Sequence, residues 1–339
     1  MPKLTRKAKM LRLIAPLFAL LAFAAPLHAA CQGQDLRPTL SPDQRAELAD
    51  MLDTRPFTTG NHWTAEKDGE VLHLIGTVHL DDPRLAGPIA RLIPVVESAS
   101  MVLLEMTAKE RNQLTSSMAT DPGLIVLKDT TLPELMSEDD WQLLSKAMSA
   151  RGIPPFMAAK FQPWYISMLL GMPPCLAQEL AEQNGLDARI EAAADAANIP
   201  TRALEPFDVA LKVFGDTPIE DQITLMRSAL ADPEGSADLF ETLMAAYVDQ
   251  HHAESWLVTT LLSPIEANQS PEDAAAATAA FEHSLLINRN KNWIPVLEQA
   301  LSETEGPVVA GFGAAHLSGE FGVLNLLAKK GYHMTRQPF

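Results

Sequence analysis

Val71-Leu72-His73-Leu74-Ile75-Gly76-Thr77-Val78-His79 decides how the chain folds. Residues 71–75 are nearly all apolar, as a strand covered on both faces must be. Residues 84–97 follow with helical periodicity, and Met101-Val102-Leu103-Leu104 is a second buried run that ends at Glu105. Strand, helix and strand in this order predict a β-α-β unit with the two strands parallel. Far downstream, Pro307–Ala310 is a third buried run and leads into Gly311-Phe312-Gly313-Ala314-Ala315-His316. Strands therefore come from both ends of the chain and enclose a helical middle. The expected fold is mixed α/β: a central, largely parallel sheet with a large helical insertion at about 108–300.

The remaining segments fit that frame. Residues 41–53 predict a short helix, with Ser41 as its cap, Pro42 at its first position and Leu48, Met51 and Leu52 as its apolar stripe. His62–Glu66 and Val71–Ile75 pair as a hairpin across Lys67-Asp68-Gly69. Helical signals run from about 108 to 198, with one start at Ser137 and Asp140 three residues on. Pro154-Pro155, Pro163 and Pro173-Pro174 punctuate that region. Thr201–Leu204 is a short strand ending at Glu205, and residues 218–265 return to helical spacing. Ser270-Pro271-Glu272-Asp273 opens a helix running to about Trp293. A helix over about 319–330 and a short terminal strand complete the chain. Trp63, Trp164 and Trp293 read as core or groove aromatics.

Residues 1–30 read as a secretory signal peptide. Lys3, Arg6, Lys7, Lys9 and Arg12 precede an apolar run from Leu13 to Leu27, and Ala29-Ala30 closes it. The run is shorter than the ~20 residues a membrane span needs. Cys31 after two alanines also suggests a lipoprotein signal, but His28 stands where a leucine is expected. The mature chain carries no membrane span in this reading, and its location is periplasmic or secreted. Residues 31–60 form an N-terminal extension and residues 61–339 the main domain.

The formal net charge is −17, and it falls to about −22 once the basic leader is removed. Such a surface repels phosphate backbones, which argues against nucleic acid as a partner. In an oxidising compartment Cys31 and Cys175 are the economical disulfide. No Cys-x-x-Cys is present, which excludes a cysteine zinc site and a thioredoxin-like centre by spacing.

His79, Glu105 and His316 each follow a buried strand. In parallel α/β sheets, sites form beyond the carboxyl ends of the strands. Gly76 and Gly313, each three residues before a histidine, predict sharp turns with room for a metal or substrate. Two imidazoles and a carboxylate can hold a divalent metal with a position open for water. His79 and His316 are expected as neutral ligands, and Glu105 as either the third ligand or the base that takes a proton from water.

Other clusters read as structural. Asp249, His251, His252 and Glu254 spread over several faces of a helix and suit a solvated surface. His73 lies in a strand, and His283 on a helix facing solvent. No Gly-x-Ser-x-Gly, phosphate-binding loop or His-Glu-x-x-His occurs.

Gly76-Thr77-Val78-His79, Leu103-Leu104-Glu105, Arg289-Asn290-Lys291-Asn292-Trp293 and Gly313-Ala314-Ala315-His316-Leu317 together resemble the TraB/GumN family, over roughly residues 60–335. Gln162-Pro163-Trp164, Gly185-Leu186-Asp187 and Leu204-Glu205 extend the resemblance. It is related to the Tiki proteases and implies a metal-dependent peptidase on a fold like the erythromycin-esterase and ChaN haem-binding proteins. By matching motif it makes His79, Glu105 and His316 the central residues and Arg289 a fourth, on a helix and expected to stabilise an oxyanion or grip a carboxylate, or else to form a surface salt bridge. Asp187 and Glu205, in matching motifs, are candidate acceptors that orient a histidine, or simple helix caps. Ala315 stands where the family usually has a second glycine, and Pro206-Phe207-Asp208 stands where many members place a glutamine-containing helix.

Together these features predict an exported metal-dependent hydrolase acting on a peptide or protein, with Mn, Co or Zn as its ion. The competing expectation is a non-catalytic binding or regulatory protein for haem, a peptide or a polysaccharide precursor.

Overall fold

The strands β1 (His62–Lys67) and β2 (Glu70–Thr77) form the expected hairpin, with Asp68 and Gly69 at positive φ in its two-residue turn. β3 is Met101–Leu104, β4 Thr201–Ala203, β5 Val308–Gly313 and β6 His333–Arg336. All six share one sheet in the order β4-β3-β5-β2-β1-β6. β4, β3, β5 and β2 are mutually parallel, whereas β1 runs against both its neighbours. This is a mixed α/β fold on a mostly parallel sheet. The computed structural model describes residues 33–176, 184–215, 217–230, 233–262, 279–280 and 282–339. The leader, and the Cys31 end of the expected disulfide, lie outside the described residues.

Alternation along the strands sorts side chains between two cores. Leu72, Leu74, Leu103, Val308, Ala310 and Phe312 face the helices Asn288–Glu303 and Val323–Lys329. Ile75, Val102, Leu104 and Val309 face the helices Ala86–Glu97 and Leu186–Ala196. A third apolar cluster, with Leu132, Leu144, Met148 and Ile166, belongs to the helices between β3 and β4 and is joined by Ile223 and Met226. The helix Pro42–Asp53, closed by a Ser41–Gln44 capping box, packs Leu48 against Leu257 and Val258.

β2 and β5 are longer than their apolar runs suggest. The ladder continues through Ile75↔Gly311, Gly76↔Phe312 and Thr77↔Gly313. Glycine interrupts the hydrophobic signal without interrupting the hydrogen bonds, so residues 311–313 are strand where a turn was expected. The helix expected over 84–97 is a short turn at Pro83–Leu85 followed by Ala86–Glu97, and that over 319–330 begins only at Val323. The start expected at Ser270 lies outside the described residues. Nearer β5, a π-helical turn, His283–Ile287, runs directly into Asn288–Glu303. Among the described residues no helix is long and apolar enough to cross a membrane.

Candidate active site at the carboxyl edge of the sheet

Four adjacent parallel strands end side by side, and each delivers one polar residue. Glu205 follows β4, Glu105 follows β3, His316 follows β5 and His79 follows β2. The helix Asn288–Glu303 starts at the same edge and contributes Arg289, Asn290 and Trp293 from its first turns. The opposite helix, Leu186–Ala196, contributes Asp187.

Arg289 ties the centre together. Its Nη2 donates to Glu105 at 2.7 Å and to Glu205 at 2.6 Å, and its Nε donates to both Glu205 oxygens. The surface salt bridge considered for Arg289 is excluded, because its side chain is only 10 % exposed. Trp293 is fully buried; its Nε1 donates to Glu205 at 2.9 Å, and its ring lies beneath the guanidinium. Glu205 thus orients Arg289 and Trp293 rather than a histidine.

Glu105 also accepts the Gly313 N–H at 2.6 Å. Burial opposes its charge, but His316, Arg289, His79 and that N–H outweigh burial and hold its carboxyl down at about 2. His316 is buried, with its ring 4.4 Å from that of Trp293. Its Nδ1 meets Asn290 Oδ1 at 2.6 Å. An amide oxygen only accepts, so Nδ1 carries the proton and Nε2 keeps its lone pair. That lone pair faces Arg289 Nη1 at 3.3 Å, with Glu105 Oε1 at 3.9 Å. Burial, with help from Arg289 and His79, pushes the imidazole down to about 3 against the pull of Glu105.

His79 differs from His316. Its ring is 67 % exposed, and Nδ1 lies 3.4 Å from Asp187 Oδ2. Asp187 raises it to about 9, with Glu105 adding to the pull and Arg289 opposing it. Asp187 thus lies beside His79, and its other oxygen, Oδ1, is buried with no hydrogen-bond partner among the described residues.

The two Gly-x-x-His loops are packed against each other. A Cβ on Gly76 would stand 2.6 Å from Leu317 Cδ1 and 3.1 Å from Ala314. A Cβ on Gly185 would stand 2.3 Å from the His79 carbonyl carbon. Close approach, rather than a left-handed turn, is the requirement at both glycines, since neither has positive φ. Ala315 also keeps an ordinary negative φ, so its replacement of glycine adds no strain.

Two contributors escaped the sequence reading. Asn290 sits in a quoted motif beside the conspicuous arginine, yet only the fold reveals that it fixes His316. Tyr247, from the helix Pro233–Val248, donates its hydroxyl to the Gly76 carbonyl at 2.7 Å, and no local pattern signals this. The cluster 249–254 divides as a structural reading implies, except that His252 is buried and contacts the Phe57 carbonyl. Arg37 pairs with Asp249, and His251 with Glu254. His73 pairs with His62 at 3.0 Å, and His283 is exposed.

Glu105 and His316, at the inner end, are of donor types that divalent ions take. Glu105 is anionic, His316 is neutral, and Asn290 fixes its lone pair from behind. Among the described residues no group of three His, Cys, Asp or Glu side chains is gathered tightly enough to hold a metal. Arg289 instead faces both inner donors, and His79 stands apart with Asp187.

Comparison with curated proteins gave no match. A family model described as the TraB/PrgY/gumN family matches residues 61–336, a span that contains all six strands and every residue of the site. The chain belongs to the TraB/PrgY/gumN family.

Proposed function

We propose that this protein is an exported metal-dependent hydrolase acting on peptide bonds. The observation that carries the reading is the neutral His316 imidazole, fixed by Asn290 with its lone pair 3.9 Å from an ionised Glu105. A half-buried carboxylate and a buried imidazole prepared in this way suit a catalytic centre better than a purely structural network.

Glu105, His316 and His79 would hold the ion, with Mn, Co or Zn as candidates. Bound there, the ion would lower the pKa of a water and polarise a substrate carbonyl. Glu105 binds directly or takes the proton released from the water; it is ionised, and a carboxylate held so low suits the ligand role better than that of the base. Arg289 supplies fixed positive charge where an oxyanion or a substrate carboxylate would sit. Asp187 orients His79, as Asn290 orients His316. Residues 1–30 direct export, and Cys31 pairs with Cys175 in the oxidising compartment.

Arg289 facing both inner donors favours one second reading, a non-catalytic binding protein in which the guanidinium is the resident cation. The two readings separate in a hydrolysis assay. The mature protein supplied with Mn, Co or Zn should cleave an unstructured fluorogenic peptide, and Glu105→Gln should slow cleavage by about 10²-fold or more. Ligand retention without turnover, unaltered in Glu105→Gln, would support the binding protein instead.

A further inference from the structure

Beyond β6 the chain is stitched back across the start of β1. The Gln337 N–H donates to the His62 carbonyl at 2.8 Å, and Gln337 Nε2 donates to Thr64 Oγ1 at 3.0 Å. His62 Nδ1 meets the Pro338 carbonyl at 2.9 Å. A carbonyl only accepts, so that nitrogen carries the proton, and Nε2 accepts from His73 Nδ1 at 3.0 Å. Burial lowers both imidazoles, so this chain of donors stands at neutral pH. From the helix Ala86–Glu97, Arg91 Nη1 donates to the Phe339 main-chain oxygen at 2.7 Å.

This stitching delivers one side chain. Phe339 is buried and meets the ring of Tyr247 edge-on, with 5.8 Å between centroids and 86° between planes. Asn61 Nδ2 holds the Tyr247 carbonyl at 2.8 Å, so the tyrosine is fixed at its backbone and at its ring. Its hydroxyl then donates to the Gly76 carbonyl at 2.7 Å, while the Gly76 N–H donates to the Asn61 carbonyl at 2.8 Å. Both backbone groups of Gly76 are therefore pinned, three residues before His79. The next anchor of the turn is the Leu186 N–H, which donates to the Val78 carbonyl at 2.9 Å and stands beside Asp187. Glu105 and His316 are held by other groups, Arg289, Gly313 and Asn290.

We propose that Tyr247 and Phe339 are positioning residues for His79, and that residues 337–339 form the strap that seats its turn through the Tyr247 hydroxyl. Phe339 acts on Tyr247, and Tyr247 acts on Gly76; neither touches the reacting centre. The effect on hydrolysis rests on the metal-dependent hydrolase reading; the seating of the turn does not.

The test uses the full mature protein in chelator, so that seating is read without metal or turnover. Tyr247→Phe keeps the ring against Phe339 and removes only the hydroxyl. Hydrogen exchange at the Leu186 amide should quicken about fivefold to tenfold, the loss of one hydrogen bond, and the His79 imidazole signals should shift. The Val102 and Leu204 amides, bonded at the other end of the sheet, should keep their rates, whereas a merely structural role would quicken all three alike. Phe339→Ala should act on Leu186 in the same direction, and Phe339→Leu should restore most of the protection. In the Tyr247→Phe background, Phe339→Ala should add nothing at Leu186, because its route runs through the missing hydroxyl. Tyr247→Phe decides the question even where Phe339→Ala fails to fold. With Mn, Co or Zn supplied, Tyr247→Phe should lower metal affinity or kcat about fivefold to tenfold and leave KM for the peptide unchanged. Unaltered exchange at Leu186, equal acceleration at Val102 and Leu204, or additive effects in the double variant overturns the proposal. A turn that loosens as described in a protein that cleaves nothing with any of the three metals upholds the strap and sinks the hydrolase.

Discussion

The guanidinium of Arg289 stands 3.3 Å from Nε2 of His316, a fixed cation against a lone pair. Burial, helped by this contact, keeps the imidazole neutral, and the charge on Arg289 is balanced by Glu105 and Glu205 instead. Three strand ends and one helix start are held together by this one side chain.

Removing it leaves two carboxylates in a desolvated site. Arg289→Ala should cost about 3–5 kcal/mol in stability, the usual penalty for orphaning a buried charge. Urea denaturation at neutral pH measures it, and a loss below about 1 kcal/mol would show that the network is incidental.

Asn290 offers a finer probe, because its Oδ1 sets the His316 tautomer. Asn290→Leu should lower metal affinity or hydrolysis about 10–100-fold. Asn290→Asp keeps the acceptor on Nδ1, loses the donor to the Phe321 and His316 carbonyls and adds a charge beside the imidazole, so it should retain the tautomer and more activity than Asn290→Leu. Imidazole nitrogen shifts would report the tautomer directly, and an unaltered tautomer in Asn290→Leu would contradict the assignment.

Gly185 is the seat of the His79 loop. Gly185→Ala places a carbon 2.5 Å from the Val78 oxygen, so the loop must move and His79 with it. Metal affinity should fall by about tenfold or more. Gly215→Ala is the control, since no described residue lies within 4 Å of its added carbon, and it should stay within about 1 kcal/mol of the parent. Equal behaviour of the two variants would remove the loop from the site.

Metal binding should depend on pH through His79. Asp187 raises this histidine to about 9, so it is a cation at neutral pH and must shed its proton to become a ligand. Affinity should therefore climb between pH 7 and pH 9 by at most about tenfold per unit, with proton release visible by calorimetry. Asp187→Asn removes the main cause of the raised value, so the climb should move to lower pH. A pH-independent affinity would exclude His79 from the ligand set.

Much of this site could be read in the chain. The apolar runs at 71–75, 101–104 and 307–310 marked the central strands, and their ends marked His79, Glu105 and His316. Periodicity failed at Gly76 and at residues 311–313, where ladder bonds persist without apolar side chains. Arg289 was conspicuous only by resemblance, because a guanidinium on a helix is ordinary until two carboxylates from distant strands meet it. Asn290 and Tyr247 act through contacts with residues 26 and 171 positions away, which no local pattern encodes.

Metal analysis of the mature protein, grown replete in Mn, Co and Zn, addresses the shared-ion proposal most directly. The wild type should hold about one ion per chain, and His316→Ala, with an unchanged circular dichroism spectrum, should lose it. Two metal-free proteins, or two equally loaded ones, would contradict a centre built from His316, Glu105 and His79.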